Sequence, residues 1–204
     1  MKPYVTLSMA LFLIIMLGTS SYNVDYGVGD IVSDFTLKNV DGKMVALSDY
    51  DDGIGVIIIF DCNTCPYSKA YNDRIIALNK KYATVGFPVV TVNSNNAENS
   101  RGDSFDEMVA LAKRKNYDFP YLVDDTQRVA RLFGATNTPH AFVLKRNGKT
   151  FEVAYIGAID NNSRNGSLAD KKYVEEAVNA LLAGQPVPTP KTKAVGCGIQ
   201  WKNS

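Results

Sequence analysis

Residues 55–61, Gly-Val-Ile-Ile-Ile-Phe-Asp, constrain this chain more than any other stretch. A continuous β-branched run without polar alternation is what a strand covered on both faces requires, so it predicts a strand at the centre of a sheet. The next residues are equally specific: Cys62-Asn63-Thr64-Cys65, then Pro66, then apolar or aromatic residues at Tyr67, Tyr71, Ile75, Leu78 and Tyr82. That spacing marks one face of an α-helix, and proline suits a helix's first turn. Two cysteines therefore sit where a central strand passes into a helix.

The rest of the chain alternates in the same way. Residues 30–37 read as an entry strand, and 38–50, with Asp41-Gly42, as a turn before MVALSDY. Residues 87–94 predict the next strand, and Phe105, Met108, Val109, Leu111 and Ala112 a helix after the polar stretch 95–103. FPYLVDD reads as a short strand and TQRVARLFG as a short helix closed by Gly134. HAFVLKR and TFEVAYIG flank Asn147-Gly148, a pair that favours the tight turn of a β-hairpin. A last helix carries Tyr173, Val174, Ala177, Val178, Leu181 and Leu182 and stops at Gly184. The tail after it, QPVPTPKTKAVGCGIQWKNS, reads as extended and surface-bound. The expected class is α/β, a three-layer fold with a central mixed sheet flanked by helices.

Several functions are disfavoured at this level. Lys and Arg number 22 against 21 Asp and Glu, so no basic surplus marks a nucleic-acid partner. No G-x-G-x-x-G follows the first strand and no G-x-x-x-x-G-K-[ST] occurs, so a phosphate cradle lacks support. At 204 residues the chain suits one core. Lys2, an apolar run from Tyr4 to Leu17 and the small residues Gly18 to Ser21 follow the charged, apolar, small order of an export signal. The run, about 14 residues, is shorter than the roughly 20 that span a bilayer. The expected division is a signal peptide over 1–21, one domain over 22–184 and a tail over 185–204. The mature protein is expected outside the cytoplasm, periplasmic or otherwise extracytoplasmic, with membrane contact only through the export segment.

An oxidising compartment lets disulfides persist, and it makes the odd number of cysteines, three, notable. The pair at 62 and 65 can serve as a redox disulfide, as half of a metal site or as a structural staple; so short a spacing disfavours the last. A helix N-terminus lowers thiol pKa through its unpaired N–H groups and dipole. Cys62, just ahead of the helix, is the expected nucleophile, and Cys65, further in and more shielded, the resolving thiol. Asp61 adds a negative charge beside Cys62, which should raise its pKa, weaken the reduced form and give a reducing couple.

FDCNTCPYS after the buried strand, Thr138-Pro139 ahead of the Asn-Gly hairpin, and the entry GDIVSDFTL together resemble the thioredoxin superfamily. The resemblance is to its redoxin branch of AhpC/TSA, peroxiredoxin-like proteins with a thioredoxin-type C-x-x-C, and covers roughly residues 28–184. It implies a thioredoxin-like fold, a cis Thr138-Pro139 bond lying against Cys62 and Cys65, and Pro139 shaping the substrate groove. It further implies thiol-disulfide exchange with no cofactor beyond a redox-active Cys62–Cys65 disulfide. The expected partners are client protein disulfides and an upstream thiol reductant, with no nucleic acid and no metal.

Two alternatives arise from the same resemblance. A peroxiredoxin-like thiol peroxidase would place its cysteine at Cys65-Pro66, but then Ile58 stands at the motif's proline, Cys62 at its threonine and Pro139 at or near its peroxide-polarising arginine. A Cu(I)-binding protein would use Cys62, Cys65 and His140, the sole histidine. A histidine at a strand start can equally project to solvent or bond locally. Cys197, between Gly196 and Gly198, can resolve a disulfide with the active pair, protect it or stay unpaired, with Trp201 anchoring the tail. Asp124 and Asp125, like Asp49, Asp51 and Asp52, are expected in solvated loops.

Overall fold

The computed structural model describes residues 25–202, and the expected export signal lies outside them. Strand β4 (Gly55–Phe60) is buried along its whole length. Its side chains divide by parity: Val56, Ile58 and Phe60 enter one apolar cluster, and Ile57 and Ile59 the other. Helix α1 (Pro66–Tyr82) covers the second face with Tyr71, Ile75, Leu78 and Tyr82. Helix α4 (Tyr173–Leu182) packs beside it through Val174, Ala177 and Val178. The opposite face is closed by α3 (Arg128–Phe133), whose Phe133 ring meets Tyr26, Phe60 and Phe142 in edge-on and tilted contacts. Helix α2 (Phe105–Lys115) begins at Ser104, which accepts from the Glu107 amide, and buries Met108 and Leu111.

Among the described residues the main sheet has eight strands. In spatial order they are β1 (Ile31–Val32), β9 (Thr150–Gly157), β8 (His140–Asn147), β4, β5 (Val89–Asn93), β6 (Tyr121–Val123), β2 (Thr36–Asn39) and β3 (Met44–Ala46). β4, β5 and β6 run parallel and the other pairings are antiparallel. This is the three-layer mixed sheet expected. The entry stretch differs: residues 30–37 do not form one strand, because Ile31 and Val32 pair with β9 while Thr36–Asn39 crosses to β6. Residues 44–46, within the segment read as a turn and its sequel, form a strand on β2.

A second, two-stranded sheet joins β7 (Asn137–Thr138) to β10 (Cys197–Gly198) in the tail. Asp124 is not solvated as expected but buried; its carboxylate accepts from Ser94 Oγ at 3.0 Å and from the Ala130 amide at 2.9 Å. It holds the start of α3 to the end of β5, and the neighbouring Asp125 stays exposed.

Candidate functional site

β4 ends at Phe60, and the chain crosses Asp61 to Thr64 before Cys65 caps α1. The loop is held from outside. Asp103 accepts from the Asn63 amide at 2.6 Å and Thr64 Oγ1 at 2.7 Å, and further from Ser100, Asn95 and Asn93 side chains. Asn63 itself donates to Gly102 O and accepts from the Tyr121 hydroxyl. Burial would raise the Asp103 pKa, but the hydrogen bonds from Ser100, Thr64, Asn95 and Asn63 outweigh it and hold the carboxyl below its ordinary value. Asp103 therefore stays ionised and fixes the dipeptide between the cysteines. Sequence reading misses it, since partners up to forty residues away leave no spacing signal; the polar run 93–103 is its only trace.

The Thr138-Pro139 bond is cis, and Thr138 touches both sulfurs. Cys62 Sγ lies 3.1 Å from its hydroxyl, and Cys65 Sγ lies 3.2 Å from its carbonyl oxygen. The structure thus brings Cys62, Cys65, Thr138 and Pro139 together. It departs from expectation in the disulfide: Cys65 is bonded to Cys197, and Cys62 is a free thiol. The tail strand supplies the reason, because β10 pairs with β7 in a register that sets Cys197 opposite Thr138. Nor is Cys62 the more open thiol, since Cys62 and Cys65 are 1% and 3% exposed.

Burial pushes the Cys62 thiol up, and the Asp61 carboxylate pushes it further, against the Thr138 hydrogen bond. The sequence shows the second cause and not the first. Asp61 is 2% exposed with Oδ1 unpaired, and burial raises its pKa to about 6 against opposing hydrogen bonds from Ser68 and the Cys62 amide.

His140 is buried rather than solvent-facing. Its Nδ1 accepts a long bond from the Thr136 amide, its ring lies 4.7 Å from that of Phe142, and burial, then Lys191, lowers its pKa to about 4. It is not gathered with the cysteines into a ligand set; among the described residues no three His, Cys, Asp or Glu side chains are placed to hold a metal.

The tail is fastened on both sides of Cys197. Upstream, the Ile156 amide donates to Pro190 O and the Thr192 amide to Ile156 O. Downstream, the Ile199 amide donates to Thr136 O and the Asn96 amide to Gln200 O, Gln127 bridges Gln200 and Lys202, and the Arg131 guanidinium lies 4.5 Å from the Trp201 ring centre. Trp201 anchors the tail as expected.

The sequence profile of the AhpC/TSA family matches residues 28–153. The thiol-disulfide oxidoreductase ResA of Geobacillus thermodenitrificans is 26% identical over 129 residues, 62% of this chain and 68% of that one. An uncharacterized conserved protein from Geobacillus kaustophilus superposes with a TM-score of 0.81 at 34% identity, over 87% of this chain and 94% of that one. A protein assigned as the thiol:disulfide interchange protein DsbE of Chlorobium tepidum does so with a TM-score of 0.57 at 26% identity, over 76% and 98%.

Proposed function

The chain belongs to the AhpC/TSA family, and on that premise we propose that it is an exported thiol-disulfide oxidoreductase that reduces client protein disulfides. One observation carries the reading: Cys62 and Cys65 lie against the same residue, Thr138, at the start of a helix and beside a buried proline. Both sulfurs are thereby held against one residue, the closeness that thiol-disulfide exchange between them requires. Cys62 attacks the client disulfide as its thiolate, releasing one client sulfur as a thiol. Cys65 then attacks Cys62, releases the second client sulfur and closes a Cys62–Cys65 disulfide, so the two electrons lost by the protein are those the client gains. An upstream dithiol reductant reopens the disulfide. Thr138 and Pro139 are the residues we assign to border the client sulfur once the site opens. ResA and DsbE, by name a thiol-disulfide oxidoreductase and an interchange protein, support this class of activity. The apolar segment at the start of the chain supports export.

The reducing direction rests on Cys62. A thiol whose pKa is raised gains little from ionisation, so the reduced form is poorly stabilised and the couple is reducing. Titration of the protein in dithiothreitol buffers, with alkylation and mass spectrometry, should give a two-electron couple near or below about −270 mV. A couple near about −120 mV, the range of a strong oxidant, overturns the direction. Undiminished reduction of a protein disulfide by the Cys62→Ser variant overturns the mechanism.

A further inference from the structure

The tail is built onto the site. Gly196 approaches so closely that a Cβ there would lie 2.1 Å from Thr138 O and 3.1 Å from Pro139 N, so only glycine fits this contact. One residue on, Cys197 stands opposite Thr138 in antiparallel register, and Asn137 Nδ2 donates to Gly196 O at 3.1 Å. Gly157 makes a second close approach: a Cβ would lie 2.1 Å from Thr192 Oγ1. A tail that merely lay on the surface would need neither contact. Three sulfurs of one chain thus converge on Thr138: Cys62 at its hydroxyl, Cys65 at its carbonyl and Cys197 across the β-ladder.

We propose that Cys197 is a third exchanging thiol, which takes Cys65 from Cys62 and so returns Cys62 as a free nucleophile while the tail strand covers Thr138. The inference rests on the function proposed above. After a client has been reduced and the Cys62–Cys65 disulfide has closed, the Cys197 thiolate attacks Cys65 Sγ. The Cys65–Cys197 bond forms, the Cys62–Cys65 bond breaks, and Cys62 leaves as a thiolate that takes up the proton Cys197 has lost. No oxidant is needed, because the step is an isomerisation with one disulfide before and one after. Its product is the arrangement seen here: Cys65 bonded to Cys197, Cys62 free, and β10 seated on the edge of Thr138. In that state an extended client segment can reach Thr138 only by displacing β10. The upstream reductant therefore acts on Cys65–Cys197, the disulfide that also pins the tail.

The test is disulfide mapping of the full chain. The reduced protein is oxidised with one equivalent of diamide, quenched in acid, alkylated and digested. Wild type should carry mainly Cys65–Cys197, and Cys197→Ser should carry Cys62–Cys65. Gly196→Ala removes no thiol but forces the tail off Thr138, so it should shift the ratio toward Cys62–Cys65 by about tenfold or more and speed Cys197 alkylation by a similar factor. Wild type that holds only Cys62–Cys65, or a ratio unmoved by Gly196→Ala, overturns the third-thiol proposal and leaves the proposed function standing. Failure of Cys197→Ser to form Cys62–Cys65 at all overturns the proposed function itself.

Discussion

Replacing Asp61 by Asn tests the electrostatics of the site through stability. Asp61 is 2% exposed, its Oδ1 has no partner, and burial raises its pKa from 3.8 to about 6. A carboxyl whose pKa is raised by folding favours the folded state only while protonated. Its contribution is complete below pH 3.8 and is lost as pH rises through 6. A rise of that size corresponds to about 3 kcal/mol, the penalty the ionised carboxylate imposes at pH 8 relative to pH 3.5. The asparagine side chain does not ionise, so that slope should vanish. An amide placed there carries its own unpaired N–H, a cost of about 1–3 kcal/mol, but one independent of pH. The informative quantity is therefore the difference between the two stability differences. Urea unfolding of the oxidised wild type and Asp61→Asn should show the variant gaining about 3 kcal/mol on the wild type between pH 3.5 and pH 8. The thiol pKa of Cys62, read from its alkylation rate against pH, should fall in the same variant, since the larger of the two carboxylate charges that raise it is gone. Parallel stability profiles for the two proteins would refute the reasoning.

His140 should act with the opposite sign. Burial lowers its pKa from 6.5 to about 4, so the unfolded chain binds the extra proton between those values and stability rises with pH across that window; in His140→Gln the contribution, about 3 kcal/mol, should disappear from the urea midpoints. Asp103→Ala leaves the Asn63 amide and several side-chain donors without their acceptor, and should cost on the order of 3 kcal/mol in urea unfolding. The same variant should alkylate Cys62 faster after reduction, because the loop no longer has its anchor; an unchanged alkylation rate would show that the loop is ordered by other means.

The core of this fold is open to sequence reading because its determinants are periodic. Consecutive β-branched residues can be satisfied only between two layers, and Val56 to Phe60 are divided between the two clusters. Tyr71, Ile75, Leu78 and Tyr82 recur at the helical period and meet those strands. Thr138-Pro139 is found through resemblance, and no spacing rule marks it. The features that stay hidden depend on partners remote in the chain. Asp103 gathers donors from residues 63 to 100, and Asp124 joins Ser94 to Ala130, so in sequence both look like ordinary loop carboxylates. Burial is equally invisible at a single position: in sequence Asp61 is a charge beside a thiol, whereas desolvation is the larger cause of both their shifts. The tail reads as extended, which it is; that it adds a strand opposite Thr138 depends on a hydrogen-bond register that local composition does not encode.

The rims of the main sheet bear on how copies of this chain meet one another. An eight-stranded sheet ends in two outer strands, and outer strands with free amides and carbonyls are where chains add to each other and aggregate. Here one rim is Ile31–Val32 and the other Met44–Ala46, two and three residues long, the second preceded by the Asp41 and Lys43 pair. Neither is long enough to template a neighbour's strand. The longest strands, His140–Asn147 and Thr150–Gly157, pair with each other in the interior of the sheet. On the mechanism proposed above, an extended client segment enters beside Thr138, and the two rims of the described sheet are too short to compete for it.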